Sequence, residues 1–331
     1  MDPIPINKLT CWLALGLIIS FSGCEAPDKY NAYQLVIKRR SGRTKSLAVS
    51  PNGERIVAGC HTIDRPTIEV WDATTGERKL AIEHPETVNS VAYSPDGKLI
   101  VSGVSNYENN YAVKVWNATT GEPKLSLEGH QHGVMSVAFS PDGKTIASGC
   151  IGGATKLWDT TSGQERLTLQ GHEVVQRVAF SPDGLWVASA GDPGVIKIWD
   201  AETGEEKMTL DANLGPIYCF TFSPDGKTIV SGGSDAIHFW DLTTGQEKLP
   251  AGRHAGWIES VIYSPDGYLV ISASNDRTIK IWDALTGQKK RTLENGFVKS
   301  LAFSPDGNTF VSGGADWIKI WKLEKLLSPD F

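Results

Sequence analysis

His254, Ser272 and Asp276 are the residue types of a nucleophilic triad, in which an aspartate orients a histidine that takes a proton from serine. His172, Ser189 and Asp192 repeat the set upstream, and a tryptophan follows each set, Trp282 and Trp199. A catalytic serine needs a sharp exposed turn that presents its Oγ to substrate. Ser272 falls instead inside the apolar run Leu-Val-Ile-Ser-Ala, which reads as a strand rather than an exposed elbow, so a nucleophilic role is not expected. Gly143-Lys144-Thr145 and Gly226-Lys227-Thr228 have the ending of a phosphate-binding loop, but Ala138 and Thr221 stand where its first glycine belongs. Cys60, Cys150 and Cys219 come with no Cys-x-x-Cys pair and no paired-histidine spacing, so no metal site is expected. No catalytic residue and no cofactor is assigned, and the chain reads as a non-enzyme.

The elements that must carry these residues are short strands. Between His254 and Asp283, three apolar, β-branched or aromatic runs alternate with Pro, Gly, Asn and Asp turns, the pattern of an antiparallel meander. The pattern recurs: Ser-Pro-Asp/Asn-Gly turns begin at Ser50, Ser94, Ser140, Ser181, Ser223, Ser264 and Ser304. Each is followed by a strand closing on tryptophan, at Trp71, Trp116, Trp158, Trp199, Trp240, Trp282 and Trp321. A period of roughly 40 to 45 residues with four strands and a Trp-Asp ending marks a propeller blade.

On these motifs the sequence resembles the WD-repeat β-propeller family over residues 33–321. The resemblance implies an all-β, seven-bladed propeller in which a buried His, Ser/Thr, Asp and Trp link the loops of a blade. Blade six matches this set with His254, Ser272, Asp276 and Trp282. Blade four offers His172, Ser189, Asp192 and Trp199, with Asp192 one place off. Blade three has His130, Ser148 and Trp158 but Gly152 in the aspartate's place; blades one, five and seven lack the histidine and blade two the aspartate.

Within a blade the pattern places strand a at residues 134–139, strand b at 144–148, strand c at 155–158 and strand d at 165–169. Residues 33–40 match a strand d and precede the first strand a, whereas Trp321 ends a strand c with no strand d after it. The N-terminal strand is therefore expected to complete the last blade, which removes the open edges. Cys60 and Cys150 fall a whole blade apart, beyond the roughly 7 Å Cα limit of a disulfide. The net charge of −6 argues against a phosphate-backbone binder, so no nucleic acid is expected, and the propeller is expected to be monomeric.

At the start of the chain, Lys8 precedes an apolar run from Trp12 to Phe21, too short to span a bilayer and shaped like a secretory signal. It ends in Phe21-Ser22-Gly23-Cys24, which resembles the bacterial lipobox, with Phe21 where leucine is usual. The resemblance implies a lipoprotein signal peptide at 1–23, lipid attachment at Cys24, a tether at 24–32, the propeller at 33–321 and a tail at 322–331. The membrane would then be a partner through the lipid anchor, and the location the bacterial cell envelope, facing the periplasm or exterior.

Departures from the repeat speak to function. The b-to-c loops of blades one and two are enlarged, and the second carries Tyr107 and Tyr111. At the start of strand a, where the other blades hold mostly small residues, stand Arg43, Trp257 and Phe297, with Trp317 nearby in the last repeat. Loop-borne aromatics and arginine are typical binding anchors, so these six residues are assigned to a protein partner of unknown identity. The expected function is a non-enzymatic interaction platform; the alternative is a propeller enzyme or small-ligand binder that uses the central channel.

Overall fold

Each repeat becomes a meander because its β-branched and aromatic runs alternate buried and half-buried positions between turns that reverse the chain. The structure, a computed structural model, describes residues 33–39, 42–61, 67–84, 86–105, 112–211 and 215–328. Cys24, Tyr107 and Tyr111, together with segments 1–23 and 24–32, lie outside the described residues.

In blade three the strands run Val134–Phe139, Thr145–Cys150, Ala154–Asp159 and Glu165–Gln170, antiparallel and in chain order. They match the expected positions to within two residues at every end. The connecting turn is held by its own side chains. Ser140 Oγ donates to Asp142 Oδ1 at 2.6 Å, Asp142 accepts the Lys144 amide at 3.0 Å, and Ser140 Oγ accepts the Thr145 amide at 2.9 Å. Gly143 closes the turn at φ 71°, a backbone region that favours glycine.

Seven four-stranded sheets of this kind form a seven-bladed β-propeller. The blades are residues 43–83, 87–127, 134–170, 174–211, 219–253, 258–294 and, for the last, 300–322 with 33–38. Strand a is the inner edge of each sheet and touches strand a of both neighbouring blades, so the seven inner strands close a ring around an axis. Serines on these strands stitch the ring: Ser46 Oγ accepts the Val91 amide at 3.1 Å, and Ser90, Ser136, Ser260 and Ser300 make the same bond to the next blade. Arg177 and Cys219 interrupt the stitching on either side of blade five.

The core is divided among the blade junctions. One cluster joins Val57, Ile68 and Val70 of blade one to Val88, Val91 and Trp116 of blade two, and a similar cluster fills each of the other six junctions. Gly103 lets the sheets approach, since a Cβ there would overlap Val134 of the next blade. The shared blade closes the disk: Tyr33–Lys38 pairs antiparallel with Trp317–Lys322, and the Tyr33 ring meets Trp321 edge-on at 5.8 Å.

Within the segment read as a tail lies a further element. Leu323–Leu327 forms a short helix, and Leu326 is fully buried in the cluster between blades six and seven. Leu323 and Leu326, one helical turn apart, supply the apolar face that docks it. Among the described residues no helix is long and apolar enough to cross a membrane.

Candidate interaction surface

The His/Ser/Asp/Trp set of blade six is assembled from two strands and two loops. Strand b (Leu269–Ser274) carries Ser272, strand c (Thr278–Asp283) carries Trp282, and the loops before strand a and after strand b supply His254 and Asp276. His254 Nδ1 lies 2.8 Å from Asp276 Oδ2, His254 Nε2 lies 2.7 Å from Ser272 Oγ, and Trp282 Nε1 donates to the same Oγ at 2.8 Å. An ionised aspartate only accepts, so His254 Nδ1 carries the proton that donates to it, and the Ser272 hydroxyl donates to Nε2. Burial opposes ionisation of Asp276, but hydrogen bonds from Thr278, the Ala255 amide and His254 outweigh it and hold the carboxyl below its ordinary range. Burial also lowers the His254 pKa, against the pull of Asp276.

This is triad connectivity without triad access. Ser272 has no exposed surface and its Oγ is engaged by both His254 and Trp282, so no substrate carbonyl can reach it. The set braces the loops of blade six.

Other blades hold only part of it. His130 Nε2 lies 2.7 Å from Ser148 Oγ and His172 Nε2 lies 2.9 Å from Ser189 Oγ, with Trp158 and Trp199 donating to those serines. In both, Nδ1 is buried and receives no aspartate carboxylate, and burial lowers the imidazole pKa to about 4, opposed in His172 by backbone groups of Ser189 and Asp192. Asp192 therefore does not join the blade-four set, a correction to the sequence reading. It is the last residue of strand b, in register with Val174, whereas Asp276 sits in the turn beyond its strand. A shift of one residue moves a side chain to the opposite face of a strand.

The partner-binding candidates separate into two groups on the face bearing the d-to-a and b-to-c loops. Trp257 is 56% exposed, and its ring centroid lies 5.8 Å from that of Tyr218 in blade five, a residue that sequence reasoning missed. Phe297 is 38% exposed, and its backbone carbonyl and the Trp317 ring both lie against Gly314, whose carbonyl accepts the Thr44 amide at 3.1 Å. Arg43, exposed and next to Thr44, therefore stands with Phe297 and Trp317 at the junction of blades seven and one. Lys319 lies 4.7 Å from the Trp317 ring centroid and donates to Asn295 Oδ1 at 2.7 Å.

Two residues beyond each of these starting positions is a residue that faces the axis. A bulge in strand a turns out Lys45, Asn89, Met135, Gln176 and Glu259, and Tyr218 and Lys299 hold the same place in blades five and seven. These side chains are partly exposed, and all but Gln176 lie between buried neighbours, the pattern expected of residues lining a central channel. Asn89 reaches Met135 Sδ at 3.7 Å in the next blade, and Lys299 pairs with Glu259 across the junction of blades six and seven. The aromatic rim and the channel mouth are thus one continuous surface. The bulge was the legible signal for this ring, as the residue five before each Ser-Pro turn.

The three cysteines Cys60, Cys150 and Cys219 are buried free thiols, and burial pushes Cys60 and Cys219 up to about 12. No group of three or more potential metal ligands occurs among the described residues.

A family model described as WD domain, G-beta repeat matches residues 77–117, 121–159, 163–200, 204–241, 250–283 and 287–322, more than half of the chain. Each match runs from the strand d of one blade through the Trp-bearing strand c of the next. DDB1- and CUL4-associated factor 13 of Dictyostelium discoideum is 44% identical over 54 residues, 15% of this chain and 12% of that protein. Ribosome biogenesis protein BOP1 homologs of Drosophila ananassae and Drosophila grimshawi are 34% identical over 71 residues, 22% of this chain and 9% of each relative. The chain thus spans about a tenth of the length of the curated relatives it matches. With its repeats matched in register and its sheets closed into a ring of seven, the chain belongs to the WD-repeat β-propeller family.

Proposed function

We propose that the chain is a non-enzymatic platform that binds a protein partner on the face carrying Trp257, Phe297, Trp317 and Arg43. The observation that carries this reading is the exposure of Trp257 and Phe297 beside the channel mouth, on a disk whose triad-like set is sealed inside blade six. Large aromatics kept in water on a rigid scaffold are the residues that most often anchor interfaces. Tyr107 and Tyr111 are assigned to the rim of this surface. The name of one relative, a factor associated with DDB1 and CUL4, is in keeping with a binding role.

The same proposal tethers the platform by a lipid on Cys24 to a bacterial envelope, with residues 1–23 removed as a signal peptide. Its support is the motif Phe21-Ser22-Gly23-Cys24 after an apolar run. Acyl chains contribute about 0.8 kcal/mol per buried methylene, so dual acylation anchors stably without a spanning helix. Cross-linking in intact cells followed by capture of the chain tests both parts: a stoichiometric protein partner supports the platform. Loss of lipid labelling and membrane retention in Cys24→Ala supports the tether, and labelling that persists removes it.

A further inference from the structure

The channel mouth carries an unbalanced positive charge on a chain whose net charge is −6. Of the seven residues facing the axis at the bulge, the charged ones are Lys45, Glu259 and Lys299. Glu259 is committed to Lys299 in an ion pair. Lys45 stands beside that pair with no hydrogen bond or ion pair among the described residues, and Arg43, two residues above it, is likewise unpaired among them. Lys45 is half-buried between the buried Thr44 and Ser46, on a strand bonded to the segment carrying Lys299 through Leu47 N–H and Ser300 Oγ, and its ammonium interacts with Lys299, Arg43 and Glu259. Burial, then Lys299 and Arg43, lower the Lys45 pKa, and Glu259 opposes them. A half-buried cation flanked by two others and short of one carboxylate is a site that gains from an incoming anion.

We propose that the channel mouth between blades seven and one binds a compact anionic group, a carboxylate or a phosphate, held by Lys45 with Arg43 and Lys299 at its sides. The group arrives either as a free small anion or on an acidic segment of a peptide. The site shares Arg43 with the proposed partner surface but is centred on Lys45 and Lys299, and its test uses small anions, so it can hold or fail whichever way the platform reading goes.

Calorimetric titration of the full chain at fixed ionic strength tests this, with inorganic tripolyphosphate and hexaglutamate as the two probes. Saturable one-to-one binding is expected from at least one of them; tighter binding of tripolyphosphate points to a free anion, and of hexaglutamate to a peptide. Because charge-assisted bonds to a partly desolvated cation are strong, Lys45→Gln should weaken binding by about tenfold or more, while Lys45→Arg should retain it. Glu259→Gln frees Lys299 and should tighten binding. Lys98→Gln, the same charge change in a turn on the opposite face, should leave it unchanged. Absence of saturable binding by both probes overturns the proposal, as does a Lys45→Gln effect no larger than that of Lys98→Gln. Should Lys45→Gln fail to fold, Glu259→Gln decides, and unchanged or weaker binding in that variant overturns it.

Discussion

Trp71 packs with Ala58 in the cluster between blades seven and one, and its Nε1–H is buried with no hydrogen-bond partner. In the other blades Trp116, Trp158, Trp199, Trp240, Trp282 and Trp321 each donate to a strand-b serine at 2.8 or 2.9 Å. Ala58 occupies that serine's place. Ala58→Ser should therefore give the indole its acceptor and stabilise the fold by about 1 kcal/mol, the usual net value of such a bond. Urea unfolding of the variant measures this, and a lower midpoint at unchanged slope would refute it.

Blade one also reverses the charges that other blades place over the tryptophan. Lys156–Glu165 and Lys197–Glu206 join strands c and d at 2.6 and 2.7 Å, but blade one has Glu69 on strand c and Arg78 on strand d, 3.2 Å apart. Glu69 Oε2 also receives Arg39 Nε at 2.7 Å, a buried ion pair that ties the end of the closing N-terminal strand to blade one. Glu69→Ala leaves Arg39 buried and uncompensated, so it should destabilise the fold by about 3 to 5 kcal/mol. The double variant Arg39→Met, Glu69→Leu should recover most of that loss. A Glu69→Ala protein as stable as the parent would show that the pair does not secure the closure.

Acid should loosen the disk well before its carboxylates protonate. Burial lowers His84, His130 and His172 to about 4 in the folded chain, against a reference near 6.5. Between those values the unfolded chain binds more protons, so stability is fully present above about pH 6.5 and is lost as pH falls through about 4. Unfolding midpoints measured across this window should decline steadily, and His130→Gln should make the decline shallower. A flat profile from pH 7 to 4.5 would contradict the neutral buried state.

Much of the fold was legible because the repeat states it many times. The Ser-Pro-Asp-Gly turns and strand-c tryptophans set the period, and the missing strand d after Trp321 pointed to Tyr33–Lys38 as its complement. The blade-six set was equally legible, since His254, Ser272 and Asp276 keep the family spacing. Asp192 was not, because a one-residue shift from turn to strand reverses a side chain while leaving the composition intact. Nor was the Arg39–Glu69 pair, which depends on a closing strand delivering Arg39 to a position 30 residues away in sequence. Tyr218 was passed over because Pro216, not Tyr218, holds the equivalent of Trp257. The helix Leu323–Leu327 follows the last repeat, where no periodic signal remains.

The central claim is that the aromatic rim receives a protein partner, and the dissociation constant of the cross-linked partner for single alanine variants tests it most directly. Trp257→Ala and Phe297→Ala should each weaken binding by about 2 kcal/mol, roughly 30-fold, while the disk unfolds as before. Tyr268→Ala removes an aromatic that is 73% exposed in the turns of the opposite face and should leave affinity unchanged. If affinity survives at Trp257 and Phe297 but is lost at Tyr268, the partner binds the other face and the account is wrong.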